Sequence, residues 1–327
     1  MILGIESTAH TFGIGIVSDG KVLCNIREMY TTESGGIIPM DSAKHHAEIA
    51  DDVWNKALDE VGIDEKEISG IAFSASPGLA PCLITGMEFA KKKALELEIP
   101  IIPVNHCVAH LEIGGITGAK DPVLLYASGA NTQIIAYAGG KYRVFGETLD
   151  IGIGNFIDNF ARSLGLGFPG GPAVQKLAEK SNNYIELPYK LKGMDVAFSG
   201  ILTKLKQMKE SGGYSDEDLC FSLQETVFAM LIEASERALA HTGKKELLIG
   251  GGVGCNTRLQ EMCKIMCKER GCKFFTPSRD LLVDNGAMIA YLGEIMSKKG
   301  IKIEGKNIDN VDIDPKERTD EVDVLWR

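Results

Sequence analysis

The chain runs through one list of elements twice, and this repetition restricts its fold more than any other feature. Residues 2–6 (ILGIE) and 12–17 (FGIGIV) read as strands, and Asp19-Gly20 marks a hairpin turn into a third strand over 21–27. Helical spacing of apolar residues follows near 43–62, then a buried strand GIAFSA at 70–75 and a helix near 82–97. A strand at 100–104 leads into a helix that carries two histidines. Strands at 123–127, 132–138 and 142–148 then restart the list, with Gly139-Gly140-Lys141 in the place of Asp19-Gly20-Lys21. Helices, a strand ELLIGG at 246–251, a glycine-rich turn, a helix near 255–269, a strand at 273–276 and a helix after Asp284 complete it. An extra helical segment over about 168–210 lengthens the second copy. Two such units predict a two-lobed α/β protein with a cleft between the lobes. The first lobe is expected over 1–120, completed by a charged tail at 295–327, and the second over 121–294.

Open α/β sheets bind ligands beyond the carboxyl ends of their strands. The histidine helix follows the last strand of the first copy, and Asp284 follows the last strand of the second. Tyr126 ends the first strand of the second copy, at the place Glu6 holds in the first. The repeat therefore directs His106, His110, Tyr126 and Asp284 to one cleft. Asn105 is a candidate N-cap for the histidine helix and Gly114-Gly115 a candidate stop. Within the helix His106 and His110 stand at i and i+4, on one face, and neutral imidazoles there suit zinc or iron.

Each of these residues has an ordinary alternative. An isolated histidine pair is often only a surface feature, Asp284 would serve as a helix N-cap, and Tyr126 would serve as a core aromatic. The sequence between the histidines is H-C-V-A-H, so the glutamate of an H-E-x-x-H peptidase is missing.

The turns at Ser7-Thr8 and Ser128-Gly129-Ala130-Asn131-Thr132 offer hydroxyls and backbone N–H groups to a phosphate. Gly250-Gly251-Gly252-Val253-Gly254, with Asn256 at the following helix, allows a base or ribose to lie on the backbone. Asp158 reads either as a ribose contact or as a partner of Arg162 one turn on, and Phe168–Pro172 as a rigid corner or a ligand wall. His45 and His46, at the start of a helix, are further candidates to line the cleft. Neither G-x-x-x-x-G-K-[ST] nor a strand-linked G-x-G-x-x-G occurs.

Composition adds limits. The 327 residues, 44% hydrophobic and 24% charged, are those of an ordinary globular chain with room for two domains. A net charge of −10 argues against nonspecific attraction to nucleic acid over the whole surface. Lys91-Lys92-Lys93 and Lys298-Lys299 are the local basic concentrations, read as solvated helix faces or ends. No apolar run reaches a membrane span of roughly 18 residues, and MILGIEST lacks a basic leader, so a cytoplasmic location without membrane contact is expected. The eight cysteines include no C-x-x-C pair, and Cys263, Cys267 and Cys272 are read as reduced core positions rather than a metal cluster.

Taken together the motifs resemble those of the universal tRNA threonylcarbamoyladenosine transferase family. That family comprises bacterial TsaD and the catalytic subunit of archaeal and eukaryotic KEOPS, once called O-sialoglycoprotein endopeptidase. The matching stretches are GIEST, SPGLAPCLITG from Ser76, NHCVAHLE from Asn105, YASGANTQ from Tyr126 and ETLDIGIGNFIDNFAR from Glu147. FPGGPAVQKLA from Phe168, DVAFSGI from Asp195, GGGVGCNTRL from Gly250 and VDNGAMIA from Val283 continue the match in family order. GIGNFID and the ending RTDEVDVLWR resemble the archaeal–eukaryotic branch.

The resemblance implies an actin-like, Hsp70-like ATPase fold. It also implies one iron or zinc ion on His106, His110, Tyr126 and Asp284, with magnesium as a further candidate ion. The ATP- or AMP-type nucleotide, with threonylcarbamoyl-AMP as substrate, would be held by Tyr126, Ala127, Ser128, Gly129, Ala130, Asp158, Gly171, Gln175 and Asn256. Two positions depart from the family pattern, which often has glycine at Ala130 and glutamate at Gln175.

The implied reaction moves a threonylcarbamoyl group to the adenosine beside the anticodon of tRNAs that read ANN codons. The implied partners are tRNA, a small kinase-like ATPase and a dimerising subunit. The competing readings are a small-molecule kinase of the same fold and a nucleotide-binding scaffold subunit.

Overall fold

The computed structural model describes residues 1–31 and 37–327. In chain order its elements are strands β1 (Ile2–Glu6), β2 (Thr11–Ser18) and β3 (Lys21–Met29), helix α1 (Pro39–Val61), β4 (Gly70–Ser76), α2 (Ala80–Glu96), β5 (Ile101–Asn105) and α3 (His106–Glu112). There follow β6 (Val123–Ala127), β7 (Thr132–Ala138), β8 (Lys141–Glu147), α4 (Ile153–Ser163), α5 (Gly171–Ala178), α6 (Ser199–Ser211) and α7 (Asp216–Thr242). The list closes with β9 (Glu246–Gly250), α8 (Thr257–Glu269), β10 (Lys273–Phe275), α9 (Arg279–Leu282) and α10 (Gly286–Lys298).

The chain divides into two compact units, Met1–Ile116 with Pro277–Arg327, and Thr117–Thr276. The sequence set the second boundary at 294/295 instead. Residues 277–298 fall in the first unit because α10 packs directly on β1 and β2. Glycines permit that contact. A Cβ on Gly4 would meet the Ala290 nitrogen at 2.1 Å, and one on Gly15 would meet the Ala287 nitrogen at 2.2 Å.

The first unit holds a five-stranded sheet in the order β3-β2-β1-β4-β5. The outer pairs β1–β2 and β2–β3 are antiparallel, while β1–β4 and β4–β5 are parallel. Strands β1 and β4 are buried along their whole length, as apolar runs covered on both faces should be. Their side chains join Phe12, Ile14, Trp54 and Phe89 in one core. The second unit repeats the construction as β10-β9-β6-β7-β8, again with two antiparallel and two parallel pairs. The hairpins that begin each copy turn at Asp19-Gly20 and Gly139-Gly140, all four at positive φ, as tight turns of this kind need.

Three local expectations shift. Helix α1 begins at Pro39, ahead of the expected 43, with proline in the first turn, where its missing N–H is no loss. Helix α9 is an additional short element. The segment 168–210 is helical only at its ends, α5 and α6. Between them the chain lies along α7, where Ile185 N–H donates to Ser222 Oγ (2.8 Å) and Tyr189 Oη to Glu233 Oε2 (2.6 Å). Among the described residues no helix is long and apolar enough to cross a membrane.

Candidate metal and nucleotide sites

Helix α3 starts at the carboxyl end of β5, where Asn105 Oδ1 accepts the Val108 N–H at 3.1 Å and caps it. The cap points the helix's first turn, and His106 with it, toward the end of β1. There His106 Nδ1–H donates to Glu6 Oε2 at 2.8 Å. The other oxygen of Glu6 accepts from the Thr8 N–H at 2.7 Å and the Thr8 hydroxyl at 2.5 Å, so the carboxylate is held at both ends. With Nδ1 committed, His106 Nε2 faces Asp284 Oδ1 at 3.4 Å, and His110 Nε2 faces the same oxygen at 3.3 Å.

Asp284 is available for this role because the neighbouring residue caps α10. Asn285 Oδ1 accepts the Met288 N–H at 2.9 Å, in place of the Asp284 cap that was the ordinary alternative. The ligand atoms of His106, His110 and Asp284 all lie within 4.8 Å of one another.

These three side chains fit a transition-metal ion. Two ligands at about 2.1 Å from a tetrahedral centre stand about 3.4 Å apart, which matches the separations found here. Two imidazoles and a carboxylate suit zinc or ferrous iron, and the Glu6 hydrogen bond is the usual orienting partner of a ligating histidine.

Electrostatics point the same way. Burial disfavours the charged form of His106, but the Glu6 and Asp284 carboxylates outweigh it and hold the imidazole well above its ordinary range. For His110 burial prevails over the bond to Asp284 and pushes the imidazole down. Burial would raise Asp284, yet the His106 charge and the two imidazole hydrogen bonds take it well below the usual carboxylate range. The Glu6 and Asp284 carboxylates thus set negative charge beside the point where the three atoms converge.

Tyr126, grouped with these residues from the sequence, is the penultimate residue of β6 in the second unit and is buried. It opens the turn expected to hold phosphate. That turn closes on itself: Ser128 N–H donates to Asn131 O at 2.9 Å, and Asn131 N–H to Ser128 Oγ at 3.2 Å. It rests on the start of α4, whose Gly154 and Asn155 N–H groups donate to Ser128 O and Gly129 O. A Cβ on Gly154 would meet Gly129 Cα at 2.7 Å, so only glycine lets turn and helix approach this closely. Gly129 and Ala130 are exposed.

Behind the turn lies the glycine run after β9, with Gly251 at positive φ against Ala127 O. Asn256 caps α8 through the Arg258 and Leu259 N–H groups and donates to Gln224 Oε1 at 2.6 Å. Gln175 Nε2 donates to Thr257 Oγ1 at 2.9 Å, which ties α5 to the same helix start. Asp158 Oδ1 accepts the Gly170 N–H at 2.7 Å and so holds the turn that leads to Gly171. Asp158, Gln175 and Asn256 thus shape the loops around the turn. Sequence reasoning missed Glu6 as the partner of His106; its signal was position, at the end of the strand matched to the one that carries Tyr126. Of the other candidates, His46 is fully buried, its Nε2–H on Ala9 O at 2.9 Å.

Comparison with known proteins adds an independent line. The model of the TsaD family, tRNA N6-adenosine threonylcarbamoyltransferase, matches residues 21–291. Proteins of that name from Thermococcus sibiricus and Thermococcus kodakarensis are 55% and 54% identical, each over 99% of both chains. A Methanosarcina mazei protein named probable bifunctional tRNA threonylcarbamoyladenosine biosynthesis protein is 51% identical, with 99% of this chain matching 59% of that one. Among solved structures, Thermococcus kodakarensis HypF superposes with a TM-score of 0.65 at 13% identity, over 91% of this chain and 48% of that one. Component A of the Acidaminococcus fermentans (R)-2-hydroxyglutaryl-CoA dehydratase gives 0.56 at 14% identity, over 89% and 96%. These structural likenesses establish the actin-like ATPase fold.

Proposed function

The chain belongs to the TsaD family of tRNA N6-adenosine threonylcarbamoyltransferases, and we propose that it performs this transfer with one iron or zinc ion on His106, His110 and Asp284 and an adenylate on the glycine turns of its second unit. The observation that carries the reading is the meeting of three ligand atoms from α3 and the start of α10 within 4.8 Å. When bound, the ion supplies Lewis acidity toward a substrate oxygen.

In the reaction the adenosine N6 attacks the carbamoyl carbon of threonylcarbamoyl-AMP. The new C–N bond forms, the bond from that carbon to the phosphate oxygen breaks, N6 gives up a proton, and AMP leaves. A mixed anhydride has a good leaving group, so the protein's work is chiefly to position it and stabilise charge on its oxygens. Glu6 engages His106 Nδ1 and so leaves Nε2 directed at Asp284. The exposed backbone of Gly129 and Ala130 offers a surface for phosphate, and the loops held by Asp158 and Asn256 for the nucleoside. Ala130 is exposed, and Gln175 keeps hydrogen-bonding reach without the charge of a glutamate.

The relatives of this chain named bifunctional extend well beyond it, which leaves room in them for a second function in the same biosynthesis; a kinase-like ATPase and a dimerising subunit as partners and a cytoplasmic location complete the reading. The net charge of −10 fits a protein that holds tRNA with help. The test is a tRNA-modification assay with synthetic threonylcarbamoyl-AMP, tRNA and purified partner proteins, with elemental analysis of the chain. Formation of modified adenosine by metal-loaded protein is expected. ATP-dependent phosphorylation of a small molecule with no tRNA product would install the kinase reading, and unchanged tRNA modification after loss of the metal ligands would install the scaffold reading.

A further inference from the structure

We propose that the C-terminal tail is a clamp that sets the metal-binding geometry of α3, with Glu317 and Trp326 as its positioning residues; this rests on the metal reading above. Helix α3 has only seven residues, too few to be stable unaided, so the direction of His106 is decided by what holds the helix ends. The tail holds both.

At the first end, Glu317 Oε2 accepts the Asn105 Nδ2–H at 2.9 Å and also the Ser76 hydroxyl. Asparagine can present either its oxygen or its amide nitrogen to a neighbour, whereas an ionised carboxylate only accepts. Glu317 therefore draws the amide nitrogen of Asn105 toward itself and leaves Oδ1 for the Val108 N–H. Ser76 Oγ also accepts from that nitrogen, at 3.3 Å, so Glu317 and the Ser76 hydroxyl it holds together keep the cap in this orientation.

The tail is fixed there by its backbone, with Asp314 N–H on Ala75 O at 3.0 Å and Gly78 N–H on Pro315 O at 3.3 Å. Along the helix, buried Thr319 hydrogen-bonds the side chain of Cys107, the residue after the first histidine. At the far end Trp326 Nε1–H donates to Glu112 Oε1 at 2.8 Å, and Arg327 Nε reaches the same oxygen at 3.3 Å. Trp326 is itself buried, so this contact is packed as well as hydrogen-bonded. A carboxylate on the tail and a carboxylate on the helix thus fix opposite ends of the segment that carries both imidazoles.

The experiment measures zinc affinity by competition with a chromophoric chelator and the visible absorption of the cobalt(II)-loaded protein, alongside thermal stability. Glu317→Ala is expected to weaken zinc binding by about 10- to 100-fold and to alter the cobalt spectrum. Glu317→Gln, whose amide oxygen still accepts from Asn105, should recover most of that loss, and Trp326→Phe should show a smaller weakening than Glu317→Ala. Ile308→Val, in the same tail but packed in the main core, should lower thermal stability and leave affinity and spectrum unchanged. The clamp is overturned if Glu317→Ala binds zinc with wild-type affinity and spectrum, or if Ile308→Val weakens zinc equally. His106→Ala separates the two levels. If it keeps zinc, the metal reading fails and the clamp with it; if it loses zinc while Glu317→Ala does not, the clamp alone fails.

Discussion

The sheets β3-β2-β1-β4-β5 and β8-β7-β6-β9-β10 share one strand order and one pattern of parallel and antiparallel pairing, yet their strand ends carry different chemistry. In the first unit the carboxyl ends present side chains: Glu6 at the end of β1 and His106 after β5, with Asp284 brought to them by α10. In the second unit they present backbone: the Ser128–Asn131 turn after β6 and the glycine run after β9. One scaffold, duplicated, offers a candidate cation site in one copy and a candidate nucleotide cradle in the other. The difference teaches where each site is vulnerable.

The largest effects should come from closing the glycine contacts. Gly15→Ala forces the start of α10 off the sheet, because its Cβ would meet the Ala287 nitrogen at 2.2 Å. A loss of about 3 kcal/mol or more is expected, and zinc affinity should fall with it, since Asp284 moves. Gly154→Ala instead displaces the Ser128–Gly129 turn and should weaken AMP binding while metal content holds. Calorimetric titration with AMP and with zinc checks both, and a reversal of these selectivities breaks the comparison.

A second difference is titration. The first unit buries His46, whose imidazole is pushed down to about 4, chiefly by burial. Its folded pKa lies below the unfolded value near 6.5, so between about pH 6.5 and pH 4 the unfolded chain takes up the proton first. Stability therefore falls as pH drops through that window, by about 3 kcal/mol from this group, and no further below pH 4. His46→Gln should flatten that part of the curve of chemical-denaturation stability against pH. An unchanged slope would place the acid sensitivity elsewhere.

A smaller effect should follow from Glu6→Gln, which removes the carboxylate that orients His106. Metal affinity should drop about 10- to 100-fold, with AMP binding unaffected. Equal weakening of both ligands would show that the two halves are not chemically separate.

Much of this was legible in the sequence because it follows from pattern. The repeated element list and its paired hairpins foretold the two sheets, and the i, i+4 histidines with a cap at Asn105 foretold helix α3 and the face its histidines share. What was not legible depended on tertiary contacts. The place of α10 in the first unit comes from Gly4 and Gly15 meeting Ala290 and Ala287, a steric fit between residues far apart in the chain. The non-helical run between α5 and α6 is fixed by side chains of α7, so its own composition misled. Glu6 was marked only by its place at a strand end, and Glu317 looks like any other carboxylate until Asn105 stands beside it.

The central claim is that the side-chain half of this duplicated scaffold holds an ion that the transfer needs. The most direct measurement pairs elemental analysis with tRNA modification in the His106→Ala/His110→Ala variant, its fold checked by thermal unfolding. A folded variant with no iron or zinc and transfer reduced at least about 1,000-fold is expected. A folded, metal-free variant that modifies tRNA at the wild-type rate would contradict it.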